Sequence, residues 1–169
     1  MIFPDKQLQI LPYNRIVCDL NGMSPSDFLA RVREAFTVTD NATPSPKELG
    51  QWSMYLDGRW YGLALPDGAS RPEGVVESLD VSILQERVLD SILGIKDVRT
   101  DKRIDFVGGI RGTEELEKLV DEGKAAVAFS LYPTTIDDLL RVSDAGDIMP
   151  PKSTWFEPKL RDGLLIHDI

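Results

Sequence analysis

From Trp52 to Leu63 apolar and polar residues alternate, and the alternation is interrupted once, at Asp57-Gly58. A period of two around Asp-Gly predicts a β-hairpin with a two-residue primed turn, in which Tyr55 stands opposite Trp60. That register puts Trp52, Met54, Leu56, Tyr61 and Leu63 on one face, which is the core face. Tyr55 and Trp60 share the other face, where they either pack across the strands or stack on a ligand. Ahead of the hairpin the period lengthens, and Phe28, Leu29, Val32, Ala35 and Phe36 fall on one side of a helix. Ser24-Pro25-Ser26-Asp27 starts it, with a serine cap, a proline in the first turn and a carboxylate to close a capping box.

The rest of the chain alternates between the two periods. Residues 8–11 and 16–18 read as extended on either side of Pro12, and residues 41–46 and 66–77 read as proline-containing loops. Asp80 is placed to cap a helix through Ile92, with Val81, Leu84, Val88 and Ile92 inward and Gly94 as its stop. Strands over 104–107, 124–131 and 163–169 are separated by helices over 113–122 and 134–145. The last helix opens on a capping box of Thr134 and Asp137 and ends at Gly146. Such alternation predicts one compact α+β domain over residues 1–169, a mixed sheet with helices that contains the hairpin and βα crossover units.

Composition narrows the function classes. The 169 residues carry a formal charge of −9, which disfavours a nucleic-acid surface because phosphate binding needs a concentrated positive field. No apolar run reaches membrane-spanning length, and residues 1–5 lack the basic and apolar regions of a signal peptide, so a cytoplasmic protein with no membrane partner is expected. Cys18 stands alone, which excludes an internal disulfide and a cysteine-rich zinc site, and it reads as a buried small hydrophobe. His167 is the only histidine; no zinc centre or cysteine-histidine pair can be assembled, and a Ser-His-Asp triad would lack its nucleophile elbow. No metal site is predicted. Glu77, Asp80 and Glu86 gather near the second helix start, where they could hold a magnesium ion, but capping and solvation explain them more cheaply.

The candidate chemistry lies in Met149-Pro150-Pro151-Lys152-Ser153-Thr154-Trp155-Phe156-Glu157-Pro158-Lys159. Three prolines fix φ and remove amide donors, which predicts a stiff connection that is neither helix interior nor central strand. Lys152 and Lys159 then supply charge and Ser153 and Thr154 supply hydrogen bonds to an anion. The alternative is a rigid loop with solvated lysines and with Trp155 and Phe156 plugging the core. Lys152-Ser153-Thr154 resembles the end of a nucleotide phosphate loop, but prolines stand where that loop needs glycines. A second anion site is possible at Gly109, Arg111, Gly112 and Thr113, where a strand meets a helix start; a tight turn is the other explanation for these glycines. Arg15 is either a clamp for phosphate or carboxylate or a surface arginine. Asp101-Lys102-Arg103 reads as a solvated turn with internal pairing.

These residues also carry a family resemblance. Residues 131–140, 145–156, Pro158-Lys159 and Gly163-Leu164 resemble the C-terminal end of the bacterial domain-of-unknown-function family 1015, as do Leu11-Pro12-Tyr13-Asn14-Arg15-Ile16-Val17, residues 52–61 and 79–84, and Ile92-Leu93-Gly94-Ile95. Members of that family are usually more than twice as long, with an N-terminal half that bears an Asp-Gly-His-His-Arg type motif similar to ParB-like and sulfiredoxin-like phosphotransfer folds. The motif is absent here, so the resemblance implies that residues 1–169 are the C-terminal domain, with an abrupt strand start where the halves divide. It also places a basic residue at Arg15. On this basis the chain is expected to be the half of a small-molecule kinase or phosphatase that binds a small anionic, phosphorylated metabolite. Nucleotide and magnesium would be used by the full-length protein, the catalytic residues would be unknown, and the half alone would be inactive. The alternative is a non-catalytic structural or dimerisation domain, whose partner is a second copy or the missing N-terminal half.

Overall fold

The computed structural model describes residues 9–158. The strand expected over 163–169, His167 and Lys159 lie outside them. A six-stranded sheet in the order β3-β5-β4-β7-β2-β6 forms the centre. Its strands are β2 (Tyr13–Val17), β3 (Thr37–Asp40), β4 (Gln51–Leu56), β5 (Arg59–Ala64), β6 (Ile104–Gly108) and β7 (Val127–Leu131), while β1 (Gln9–Leu11) and β8 (Trp155–Glu157) make a two-stranded ribbon. The helices are α1 (Pro25–Ala35), α2 (Asp80–Leu84), α3 (Glu114–Asp121) and α4 (Ile136–Asp144).

The α+β class and the single domain stand. All five ladders of the large sheet are antiparallel. The like-directed strands of the expected crossover unit, β6 and β7, are joined by α3, but they do not pair with each other as a mixed sheet would require, because β2 occupies the place between them. Alternation along the chain reports a crossover; it does not report which earlier strand is inserted into it.

The hairpin forms as expected. Asp57 and Gly58 both take positive φ, 49° and 73°, and Tyr55 pairs with Trp60. Trp52, Met54, Leu56, Tyr61 and Leu63 join Val17, Phe28, Val32, Phe36, Val127, Phe129 and Leu131 in the main core, between the sheet and α1 and α2. Tyr55 and Trp60 face the other way, with ring centroids 5.1 Å apart, in a second cluster that includes Leu116 of α3. The Tyr55 hydroxyl donates to Asp121 at 3.0 Å and Trp60 Nε1 donates to Glu117 at 2.6 Å. Packing beneath α3 therefore occupies the pair that could have stacked on a ligand.

The α3 cover has a consequence at high pH. Burial first, then the bond to Asp121 and the charges of Asp121 and Glu117, push the Tyr55 phenol up from 10.0 to about 12. A raised folded pKa means that the neutral phenol stabilises the fold. The contribution is complete below pH 10.0 and is lost as pH rises through about 12. Equilibrium unfolding between those values should show wild-type stability falling more steeply than that of Tyr55→Phe, and superimposable slopes would refute the coupling.

Other expectations shift for local reasons. Ser24 caps α1 by accepting from the Asp27 amide at 3.1 Å, but its hydroxyl, not its backbone amide, donates to the Asp27 carboxylate at 2.6 Å. The capping box of α4 is one residue later than expected, on Thr135 and Asp138. Asp80 does not cap α2, whose N-cap position is held by Leu79 with no side-chain cap bond, and the Asp80 carboxylate turns back to accept from the Gly50 amide at 3.0 Å and from Arg71. The helix expected to run to Ile92 widens into a π-turn at Gln85–Asp90 before Gly94, at φ 70°, ends it. Cys18 is exposed instead of buried, because it follows Val17, which takes the inward position at the end of β2. The Asp101–Arg103 turn pairs internally at 2.9 Å.

Candidate functional site

Strand β2 divides its side chains between the two faces of the sheet. Tyr13, Arg15 and Val17 point toward the main core, while Asn14 and Ile16 point to the opposite face. Arg15 stands opposite Phe106 of β6 and is only 3% exposed. Its Nη1 donates to the Tyr13 carbonyl at 2.9 Å, and its guanidinium lies 5.5 Å from the centroid of the Phe106 ring. No carboxylate among the described residues pairs with it.

The guanidinium opens on a cleft of about 520 Å³. One wall is the α2 and π-turn segment with Val81, Ser82, Gln85 and Glu86; another is the 96–99 loop; Pro150 and Pro151 form the third. Burial lowers the pKa of Arg15 to about 10, so the group stays cationic at neutral pH while deprived of water. Lys96 and Arg99 add positive charge to the walls, although Arg99 is held by a forked pair with Asp97, both contacts at 3.0 Å. At the start of the π-turn Gln85 donates through Nε2 to the Ile95 carbonyl at 2.7 Å, which leaves its Oε1 buried without a partner among the described residues. Widened turns of this kind recur at functional sites, because they re-aim a side chain without ending the helix. The cleft thus combines a desolvated cation, the Lys96 ammonium and Ser82 hydroxyl as donors and an apolar wall with the carboxylates of Glu77 and Glu86 and the unpartnered Gln85 Oε1, an acceptor.

The predicted site residues are only partly brought together. Arg15 and the base of the proline loop, Pro150 and Pro151, share the cleft. Lys152 takes a left-handed conformation (φ 56°) and sets its ammonium 5.3 Å from the centroid of the Tyr13 ring, two residues from Arg15 along β2. Ser153 is buried: its hydroxyl donates to the Pro150 carbonyl at 2.6 Å, and its own carbonyl accepts from Thr134 at 2.9 Å, so it rigidifies the loop. Thr154 is half-buried, and Lys159 lies outside the described residues. Trp155 and Phe156 do not plug the core; they are half-buried on β8, where the Trp155 ring packs edge-on to Tyr13 and so close to Gly108 that a Cβ there would collide with it. Gly109, Gly112 and Thr113 line a separate cavity on the opposite face of the sheet, and exposed Arg111 lies 3.8 Å from Glu115.

Gln85, Lys96 and Arg99 are the cleft residues that sequence reasoning missed. The only signal for Lys96 and Arg99 was a charged stretch directly after the Gly94 stop, which on its own reads as a solvated turn, and Gln85 gave none. Asp80 is committed to Arg71 and Gly50, and among the described residues no three histidine, cysteine, aspartate or glutamate side chains gather as a metal site. No described helix is long and apolar enough to cross a membrane.

Comparison with known proteins finds matches to one family model and to several solved structures. The family model described as "Protein of unknown function (DUF1015)" matches residues 1–82. A free serine kinase in complex with AMP superposes with a TM-score of 0.50 at 12% identity, covering 90% of this chain and 55% of that one. A point mutant of a free serine kinase, also with AMP, gives 0.50 at 13% identity over the same shares. A conserved hypothetical protein from Pyrococcus furiosus gives 0.49 at 15% identity, covering 90% of this chain and 57% of that one. At these identities the two matches with a TM-score of 0.50 are a likeness of fold alone, and the chain spans little more than half the length of the structures it matches. No curated protein matches it.

Proposed function

We propose that the Arg15 cleft binds an anionic, phosphorylated small metabolite, and that the chain is the ligand-binding half of a small-molecule phosphotransfer enzyme. The observation that carries this reading is a guanidinium 3% exposed, free of any carboxylate among the described residues, and opening on a cleft of about 520 Å³. Removing a cation from water without a counter-charge is costly, so such a group persists where an anion supplies the missing partner. Lys152 would add charge near the cleft, with Thr154 as a hydrogen-bonding neighbour. The fold shared with a kinase that holds AMP makes adenine nucleotides the first probes, and turnover, with magnesium if it is used, would belong to the assembled enzyme.

Calorimetric titration and thermal unfolding with AMP, ADP and inorganic phosphate test the reading. At a ligand concentration of about 100 times Kd, a true binder gains roughly 2.7 kcal/mol of stability. The rival is a non-catalytic packing or dimerisation domain, and the exposure of Ile148 (87%) and Leu140 (56%) favours it. A domain of that kind gains nothing from any of the three ligands, and that result would retire the anion-site reading.

A further inference from the structure

The opposite face of the sheet carries a second cavity, about 230 Å³ in volume, on the side away from Arg15. Its floor is Asn14 of β2 and Ser130 of β7, which are 1% and 2% exposed. The Asn14 amide is oriented by its Oδ1, which accepts from the Leu131 amide at 3.1 Å. Its Nδ2 is left with two donors and no partner among the described residues, and the Ser130 hydroxyl likewise makes no hydrogen bond to them. Both atoms belong to buried side chains that share the face onto which the cavity opens. Gly112 and Thr113, at the start of α3, form another wall, and Thr113 makes no capping bond with its side chain. Pro12, Pro46 and Pro133 stiffen the rest of the lining.

We infer that this cavity is a binding site for the carboxylate of a small metabolite. The amide donors of Asn14, the Ser130 hydroxyl and the backbone at the start of α3 together favour a planar group with two acceptor oxygens. No charged side chain among the described residues lines the cavity, the first turn of α3 carries Glu114, Glu115 and Glu117, and Arg111 is engaged with Glu115. A phosphate dianion would meet this acidic surround without a cation to offset it, whereas a carboxylate monoanion meets half the repulsion. The site is independent of the Arg15 cleft, which lies across the sheet and draws on charge.

The test is a pair of NMR titrations of the full chain at constant ionic strength, one with sodium acetate and one with sodium phosphate. Acetate should shift the Asn14 side-chain amide and the Gly112 and Thr113 backbone amides along a saturable curve. Ser130→Ala should weaken acetate about tenfold, the loss of one hydrogen bond to a charged group. Asn14→Asp keeps the acceptor for Leu131 but replaces the donors by acceptors, and it should abolish the response; it supplies the answer if Ser130→Ala does not fold. Shifts that never saturate, phosphate displacing acetate at Asn14, or unchanged affinity in both variants would each overturn the assignment. Failure here leaves the Arg15 reading standing, since phosphate and ADP report that cleft separately.

Discussion

Replacing Arg15 by methionine should yield a protein that is more stable than the wild type and blind to phosphate and ADP. Arg15 is 3% exposed, burial depresses its pKa to about 10, and its only polar contact among the described residues is the Tyr13 carbonyl. Methionine has a similar length, fills the space over Phe106, and removes a charge whose desolvation is offset only by the Tyr13 carbonyl and the Phe106 ring, with no carboxylate paired to it among the described residues. Replacing buried ionic groups with well-packed apolar ones is often stabilising by about 1–4 kcal/mol. For a chain of this length each kcal/mol moves Tm by about 2–4 °C. The same change deletes the only fully desolvated cation among the described residues of the cleft, so ligand-induced stabilisation should vanish. Opposite signs for stability and binding are the signature of a residue kept for its ligand. An Arg15→Met protein that is less stable by more than about 1 kcal/mol and still responds to ligand would show that Arg15 is a structural anchor instead.

The largest loss of stability is expected from Trp52→Ala. Trp52 is 1% exposed, meets the Phe36 ring at 5.2 Å and 69°, and donates from Nε1 to the Asp80 carbonyl at 3.0 Å. It therefore ties the hairpin to α1 and to the start of α2. Truncation leaves a large cavity and an unpaired carbonyl, a loss of about 3–5 kcal/mol, which is a sizeable share of the roughly 5–15 kcal/mol that separates folded from unfolded domains. Chemical denaturation should place Trp52→Phe between the two, because it restores most of the packing and none of the hydrogen bond. A Trp52→Ala midpoint close to that of the wild type would mean that the hairpin is not a structural member of the core.

The role of the 150–158 segment was legible only in part. Its composition pointed to an ordered loop, and the structure makes it one, with Ser153 bonded to Pro150 and Thr134. Hydroxyl side chains serve equally well as ligands and as internal staples, and no pattern in the chain separates the two uses. Gln85 was invisible for a related reason: the widening of a helix depends on the groups around it, here the Ile95 carbonyl that holds the Gln85 amide.

By itself the sequence determined what short-range forces decide. The Asp57-Gly58 turn follows from the positive φ that a two-residue hairpin demands, the start of α1 from Ser24 and Pro25, the end of α4 from Gly146 at φ 72°, and the inward faces of β4 and β5 from the pleat. Each is settled within a few residues of chain. Only the tertiary structure decided that β2 enters between β6 and β7, that Asp80 answers Arg71 instead of capping its own helix, and that Arg15 and Asn14, adjacent in the chain, look into cavities on opposite faces of the sheet. The physical reason is common to all three. Pairing partners and burial are set by segments tens of residues away, and an alternating strand shows that its two faces differ without showing what will cover either of them.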